Sequence, residues 1–186
     1  MKTHTGFTII ELMFALVLMA VVMAMAVPNF NQLIKNNRLT SQANEFITAI
    51  NYARNEAIKR NMNVILCRSS TGTSCGGGTG WENGWIVYAD TNSNAGLDNG
   101  EELKIFGALA GGNTLRGDAS YTNTITYGPK GYVTVAGALI LCDDRNSSGG
   151  TADAEDFAKG RAIIISATGR PRVTAAADST FVDCGI

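Results

Sequence analysis

Residues able to do chemistry are few in this chain and widely spaced. The one histidine, His4, stands in a short polar leader ahead of a long apolar run. If that leader is removed, no histidine remains. Ser–His and Cys–His nucleophile pairs and His-ligated metals are then excluded by composition. No other catalytic constellation is visible, so the chain reads as a non-enzyme that needs no cofactor. Four cysteines occur, Cys67, Cys75, Cys142 and Cys184. Their spacing is not the paired C-x-x-C of a zinc site. An even count spread along the chain reads as two disulfides made in an oxidising compartment. Proximity favours Cys67 with Cys75, across a loop rich in Gly, Ser and Thr. That leaves Cys184 to staple the C-terminus to Cys142. Other pairings, and four buried free thiols, are the alternatives.

Charged and aromatic groups offer four further candidates. Glu11 lies in a stretch that is otherwise apolar from Phe7 to Val27 except for Thr8. A carboxylate at mid-bilayer costs roughly 2.5–3.5 kcal/mol even on a lenient insertion scale. It must therefore have a use, or else snorkel to water. Second, Lys159, Arg161, Arg170 and Arg172 fall close together, with no acid between Asp156 and Asp178. Gly169 permits a tight turn, and Pro171 stiffens the chain between two guanidinium forks that match phosphate geometry. Contacts of that kind are sequence-independent and salt-sensitive. No aromatic residue lies between the arginines to stack on bases. Lys130, Arg145 and Arg68 are possible extensions of the patch. On composition alone the cluster is a solvated surface, or one paired with the acids Asp143, Asp144, Asp153, Glu155 and Asp156. Third, "DTNSNAGLDNGEE" sets Asp90, Asn92, Asn94, Asp98 and Glu101 at calcium-loop spacing. The residue at the sixth position, where the loop needs glycine, is Ala95. The preferred reading is an Asx-rich hairpin loop with no metal. Fourth, Trp81 and Trp85 read as core beside the cysteine loop rather than as a binding platform.

These groups need elements to hold them. Phe7–Val27, as a helix, spans about 31 Å, a bilayer core, and lacks the polar face of a soluble helix. Small-residue cleavage sites of secretory signals follow the apolar stretch, whereas Gly6 precedes this one. Lys35 and Arg38 flank the span against the positive-inside rule, so the cysteines are the better argument that the C-terminal part lies outside. Beyond Pro28, which should kink the helix without ending it, the pattern turns amphipathic. Phe30, Leu33 and Ile34, then Ala43, Phe46, Ile47, Ile50, Ala53, Ala57 and Ile58, recur at helical steps. "RNMN" at 60–63 closes the helix. Strand-like runs follow at 64–69, 84–90, 101–109, 123–135, 137–144 and 160–173, punctuated by Gly, Asn, Asp and Ser. The class is α+β: a long helix packed on antiparallel strands. Net charge is −1, so no global field recruits a polyanion.

"TGFTIIELMFAL" resembles the class III signal of type IV pilins and type II secretion pseudopilins. The resemblance implies cleavage by a prepilin peptidase between Gly6 and Phe7, N-methylation of Phe7, and Glu11 as the fifth mature residue. Glu11 would then pair with the new amine of a neighbouring subunit, each charge offsetting the other's desolvation. "YARNEAIKR", "CRSSTGTSCGGGTGWENGWIVYAD" and "ISATGRPRV" resemble the GspH/FimT family of minor pilins and pseudopilins along nearly the whole chain. The implied fold is the type IV pilin fold, a long helix on a β-sheet or β-sandwich head. It divides as leader 1–6, transmembrane segment 7–28, amphipathic half 29–61 and head 62–186. The implied partners are other minor and major pilins, the prepilin peptidase and the inner membrane before assembly. The implied place is a single-pass inner-membrane protein with an external head, later part of a pilus. The "GRPR" stretch points to FimT-like members, and so to double-stranded DNA bound for uptake in natural transformation. The alternative is a structural subunit that primes a pilus or a secretion pseudopilus.

Overall fold

The computed structural model describes residues 6, 8–143, 145, 160–176 and 184. Phe7, Lys159, Asp144, Asp153, Glu155 and Asp156 therefore lie outside the described residues. Among described residues the first element is one helix, α1, Ile9–Arg60. Thr8 caps it, its Oγ1 accepting the Glu11 N–H at 3.3 Å. Thr8 and Glu11 thus stand at the cap and third positions of a T-x-x-E start. That puts a carboxylate where exposed helix N–H groups and the macrodipole favour one. Pro28 does not end the helix. The C-terminus closes on Asn61, whose φ of 54° is left-handed. Met62 N–H donates to Ala57 O at 3.3 Å, the capping bond of a Schellman end.

The chain divides into two units, Met1–Asn37 and Arg38–Ile186. In the first, the large apolar side chains described from Ile9 to Ile34 are exposed. Here the structure departs from the expected stripe. Phe30, Leu33 and Ile34 are 62%, 54% and 41% exposed, and inward burial begins only at Leu39. Ile58 is also half exposed.

The second unit builds its own core. Its strands are β1 Val64–Arg68, β2 Trp85–Ala89, β3 Glu102–Phe106, β4 Thr114–Gly117, β5 Thr124–Tyr127, β6 Gly137–Cys142, β7 Arg161–Ile165 and β8 Pro171–Ala175. They form two four-stranded sheets, ordered β3-β2-β1-β5 and β4-β6-β7-β8, with every pairing antiparallel. Leu39, Ala43, Phe46, Ile50, Ala53 and Ala57 of α1 join one cluster with inward residues of both sheets, among them Leu66, Val87, Ile125, Leu139 and Ile163. Alternation sends the other half of each strand outward. Ile65, Cys67, Ile86 and Tyr88 form a separate cluster on the first sheet, and Ile140, Cys142, Ala162 and Cys184 one on the second. Cys67 is bonded to Cys75, and Cys142 to Cys184. Each disulfide has a half-cystine in one of these outer clusters, on the face of its sheet turned away from the main core.

Three strand boundaries differ from the sequence reading. The run 123–135 is β5 followed by a turn, and 160–173 is a hairpin of β7 and β8 rather than one strand. β4, only TLRG, has no counterpart among the strand-like runs. Trp81 and Trp85 are fully buried. Phe46 meets both rings edge-on, at 5.5 and 4.9 Å between centroids, and Trp81 Nε1 donates to Tyr121 O at 2.7 Å.

Candidate functional site

The basic stretch folds as the β7–β8 hairpin. Its turn is built by sequence: Gly169 N–H donates to Ser166 O at 2.8 Å, and Ser166 N–H to Arg170 O at 3.1 Å. Gly169 has a φ of +77°. A type I turn followed by a left-handed glycine is the usual three-residue hairpin loop. The residue in that place must be small as well, because a Cβ there would lie 2.3 Å from Gly131 O. Arg170 leaves the turn and Arg172 follows on β8, both exposed near the hairpin's tip. Among the described residues neither makes an ion pair.

Register decides which cations share a face. Arg172 lies opposite Ile164 and Arg161 opposite Ala175. Ile164 packs on the outer cluster of the second sheet, and Ile163 and Ile165 face the main core. Arg172 is therefore on the outer face, together with Arg170 opposite Ser166. Arg161, two residues before Ile163 and so on the same side of the strand, belongs to the other face. It sits at the far end of the hairpin, half-buried, with Nη1 donating to Gly160 O at 3.1 Å. The expected group of four is thus not one patch: the structure brings Arg170 and Arg172 together, sets Arg161 apart, and Lys159 lies outside the described residues. Arg145 is engaged by the Asp143 carboxylate at 2.5 Å, and Arg68 belongs to the first sheet, reaching Gly78 O at 3.5 Å. Neither extends the patch. Lys130 does adjoin it, because its neighbour Gly131 touches Gly169.

Residues 90–102 form a self-bonded loop. Asp98 accepts from the Asn92 and Asn94 side-chain amides, both at 2.7 Å. Glu101 accepts from Thr91 N–H at 2.8 Å and from its hydroxyl at 2.5 Å. These bonds hold both carboxyls below the usual carboxylate range. Asn92 and Asn94 accept backbone N–H groups through their carbonyls. Their oxygens are thus used as turn acceptors, and among the described residues no group of His, Cys, Asp and Glu is arranged to hold a metal. Beside the loop, burial first and then the charges of Asp90 and Glu101 push the Tyr88 phenol up to about 12.

A capped apolar helix and a disulfide-tied two-sheet head define the class: a pilin-like α+β protein. Comparison with known proteins agrees. Residues 42–169 match the family model for the type II transport protein GspH, and residues 1–27 match the prokaryotic N-terminal methylation motif. The crystal structure of the type IV minor pilin FimU of Pseudomonas aeruginosa superposes with a TM-score of 0.54 at 18% identity, covering 76% of this chain and 92% of that one. A second crystal form of FimU gives 0.52 at 17% identity, covering 75% and 95%. The minor pseudopilin EpsH from the type 2 secretion system of Vibrio cholerae gives 0.48 at 11% identity, covering 74% and 97%. No curated protein matches the sequence. The chain belongs to the GspH family, as a GspH/FimT-like minor pilin or pseudopilin.

Proposed function

We propose that this minor pilin binds extracellular double-stranded DNA for uptake, through Arg170 and Arg172 on the β7–β8 hairpin. The observation that carries the reading is their placement. Two guanidinium groups without an ion pair among the described residues share the outer face of an edge strand, at a turn braced from below. Such forks suit phosphate oxygens and carry no sequence preference. Lys159 takes a lesser part, and Arg161, on the other face of the hairpin, none.

The rest of the assignment follows from the N-terminus. Cleavage between Gly6 and Phe7 frees an amine that is methylated. Glu11 then pairs with that amine on the next subunit while the apolar helix moves from bilayer to filament core. The 7–28, 29–61 and 62–186 division gives membrane span, stalk and external head. The second reading, priming a pilus or secretion pseudopilus without DNA contact, is favoured by the type II transport description of the matched family.

The separating experiment uses the full chain in nonionic detergent micelles, titrated with a labelled duplex at low salt. The reading expects binding that the double substitution Arg170→Ala, Arg172→Ala weakens at least tenfold, since each charge-assisted phosphate contact contributes about 1.5–3 kcal/mol. A native chain that does not bind, or a double variant that binds as well as native, leaves the structural role alone standing.

A further inference from the structure

A second turn has the same build as the one that carries Arg170, and the two are held together. In residues 128–132, Gly131 N–H donates to Gly128 O at 2.8 Å and Gly128 N–H to Tyr132 O at 2.9 Å. Gly131 has a φ of +75°, matching the +77° of Gly169. Lys130 corresponds to Thr168 in this alignment of turns, and Tyr132 to Arg170. Lys130 is exposed and Tyr132 is 54% exposed.

The twin turns touch glycine to glycine, and one side chain spans them. Arg54 of α1 donates from Nε to Gly131 O at 3.0 Å and from Nη2 to Thr168 O at 3.2 Å. Tyr127, fully buried at the end of β5, donates its hydroxyl to Gly169 O at 3.1 Å. Each turn therefore has a carbonyl held by the helix, and the planar guanidinium fixes their separation as an ammonium cannot. Lys130 and Arg170 lie one residue from the touching glycines. Their Cα atoms are then within roughly 14 Å of each other, since consecutive Cα atoms are about 3.8 Å apart and the two glycines are in contact.

We propose that the DNA site is composite: Lys130 and Tyr132 of the 128–132 turn contact duplex phosphates together with Arg170 and Arg172, and Arg54 is the positioning residue that keeps the two turns in register. This rests on the DNA-binding reading above. Lys supplies a point charge and Tyr a hydroxyl donor, both ordinary phosphate contacts. The ligand remains the phosphodiester backbone of a duplex, read without regard to sequence.

The test titrates the full chain in nonionic detergent with a fluorescein-labelled blunt duplex across a salt series. Lys130→Ala is expected to weaken binding roughly threefold to tenfold at low salt and to make the log–log salt slope shallower by about 0.9, one phosphate contact. Arg54→Lys keeps the charge. It is expected to weaken binding by a similar factor, to flatten the slope, and to make a further Lys130→Ala nearly silent. Loss of folded protein alone would lower the active fraction without changing the slope. If Arg54→Lys does not fold, Lys130→Ala and Tyr132→Phe, both on an exposed turn, still decide. Native slope and affinity in Lys130→Ala, with Arg170→Ala, Arg172→Ala still impaired, overturn the composite surface and leave the DNA reading intact. Native behaviour of Arg54→Lys overturns the positioning role. Absence of duplex binding by the native chain overturns both.

Discussion

Replacing Gly169 by alanine tests the architecture on which the arginine turn depends. Two costs are expected. A left-handed backbone costs an L-residue roughly 1–2 kcal/mol. The new Cβ would also lie 2.3 Å from Gly131 O and 2.9 Å from Tyr127 Cε1. Neither neighbour is a free side-chain end. Gly131 O can retreat only by giving up its bond from Arg54, a charge-assisted contact of about 1.5–3 kcal/mol. Gly169→Ala should therefore cost about 3 kcal/mol or somewhat more. Gly112→Ala is the matched control: φ is +69°, and a Cβ added there would meet nothing within 4 Å. It should cost only the backbone part, roughly 1–2 kcal/mol. Trp81 and Trp85 are buried in the head, so their fluorescence follows its unfolding on heating. At about 2–4 °C per kcal/mol for a chain of this size, Gly169→Ala should lower Tm by roughly 6–12 °C and Gly112→Ala by roughly 2–8 °C. Equal shifts for the two would refute the close packing of the twin turns.

Other outcomes follow from the same structure. The Cys142–Cys184 bridge closes 42 residues and Cys67–Cys75 closes 8. In the chain-entropy account these constrain the unfolded chain by roughly 4 and 2.5 kcal/mol, so paired serine variants of the first should melt lower than those of the second. Asp98 and Glu101 have lowered pKa values, so the stability they give the 90–102 loop is complete above their unfolded values of 3.8 and 4.5 and is lost as pH falls through the lower folded ones. The protection of the Thr91 and Asp98 amides, measured against the unstructured exchange rate at the same pH, should be high at pH 6 and fall below about pH 4; protection unchanged at pH 3 would contradict the carboxylate bonds. Phe46→Ala, emptying the space between Trp81 and Trp85, should cost about 3–5 kcal/mol in the same melting assay.

Much of this is readable in the chain. The apolar run and the helical steps from Ala43 to Ala57 define α1, because periodicity is local; the Thr8 cap three residues before Glu11 is equally local, though the sequence reading passes over it. The even cysteine count points to disulfides for a similar reason. Strand ends are less readable. Apolar alternation runs through both arms of a hairpin, so "GRAIIISATGRPRV" reads as one strand although Gly169 marks its turn. β4 carries an arginine and a glycine in four residues and takes its stability from pairing with β6. The basic cluster looks contiguous because sequence distance ignores the two faces of a strand, and Arg161 falls on the face away from Arg172. The role of Arg54 has no local sign. Its two acceptors are 77 and 114 residues away in sequence, and only the fold brings them to one guanidinium. The exposed Phe30, Leu33 and Ile34 show the limit of periodicity in the other direction: the stripe is present, and its burial begins later, at Leu39.

The central claim, that the head holds a phosphate backbone through a few discrete cations, is tested most directly by the salt dependence of duplex binding to the native full-length chain. Arg170, Arg172 and Lys130 as contacts predict a straight log–log plot with a slope of about −2 to −3, at roughly 0.9 per phosphate neutralised. A flat plot, or no binding at the lowest salt, would contradict it.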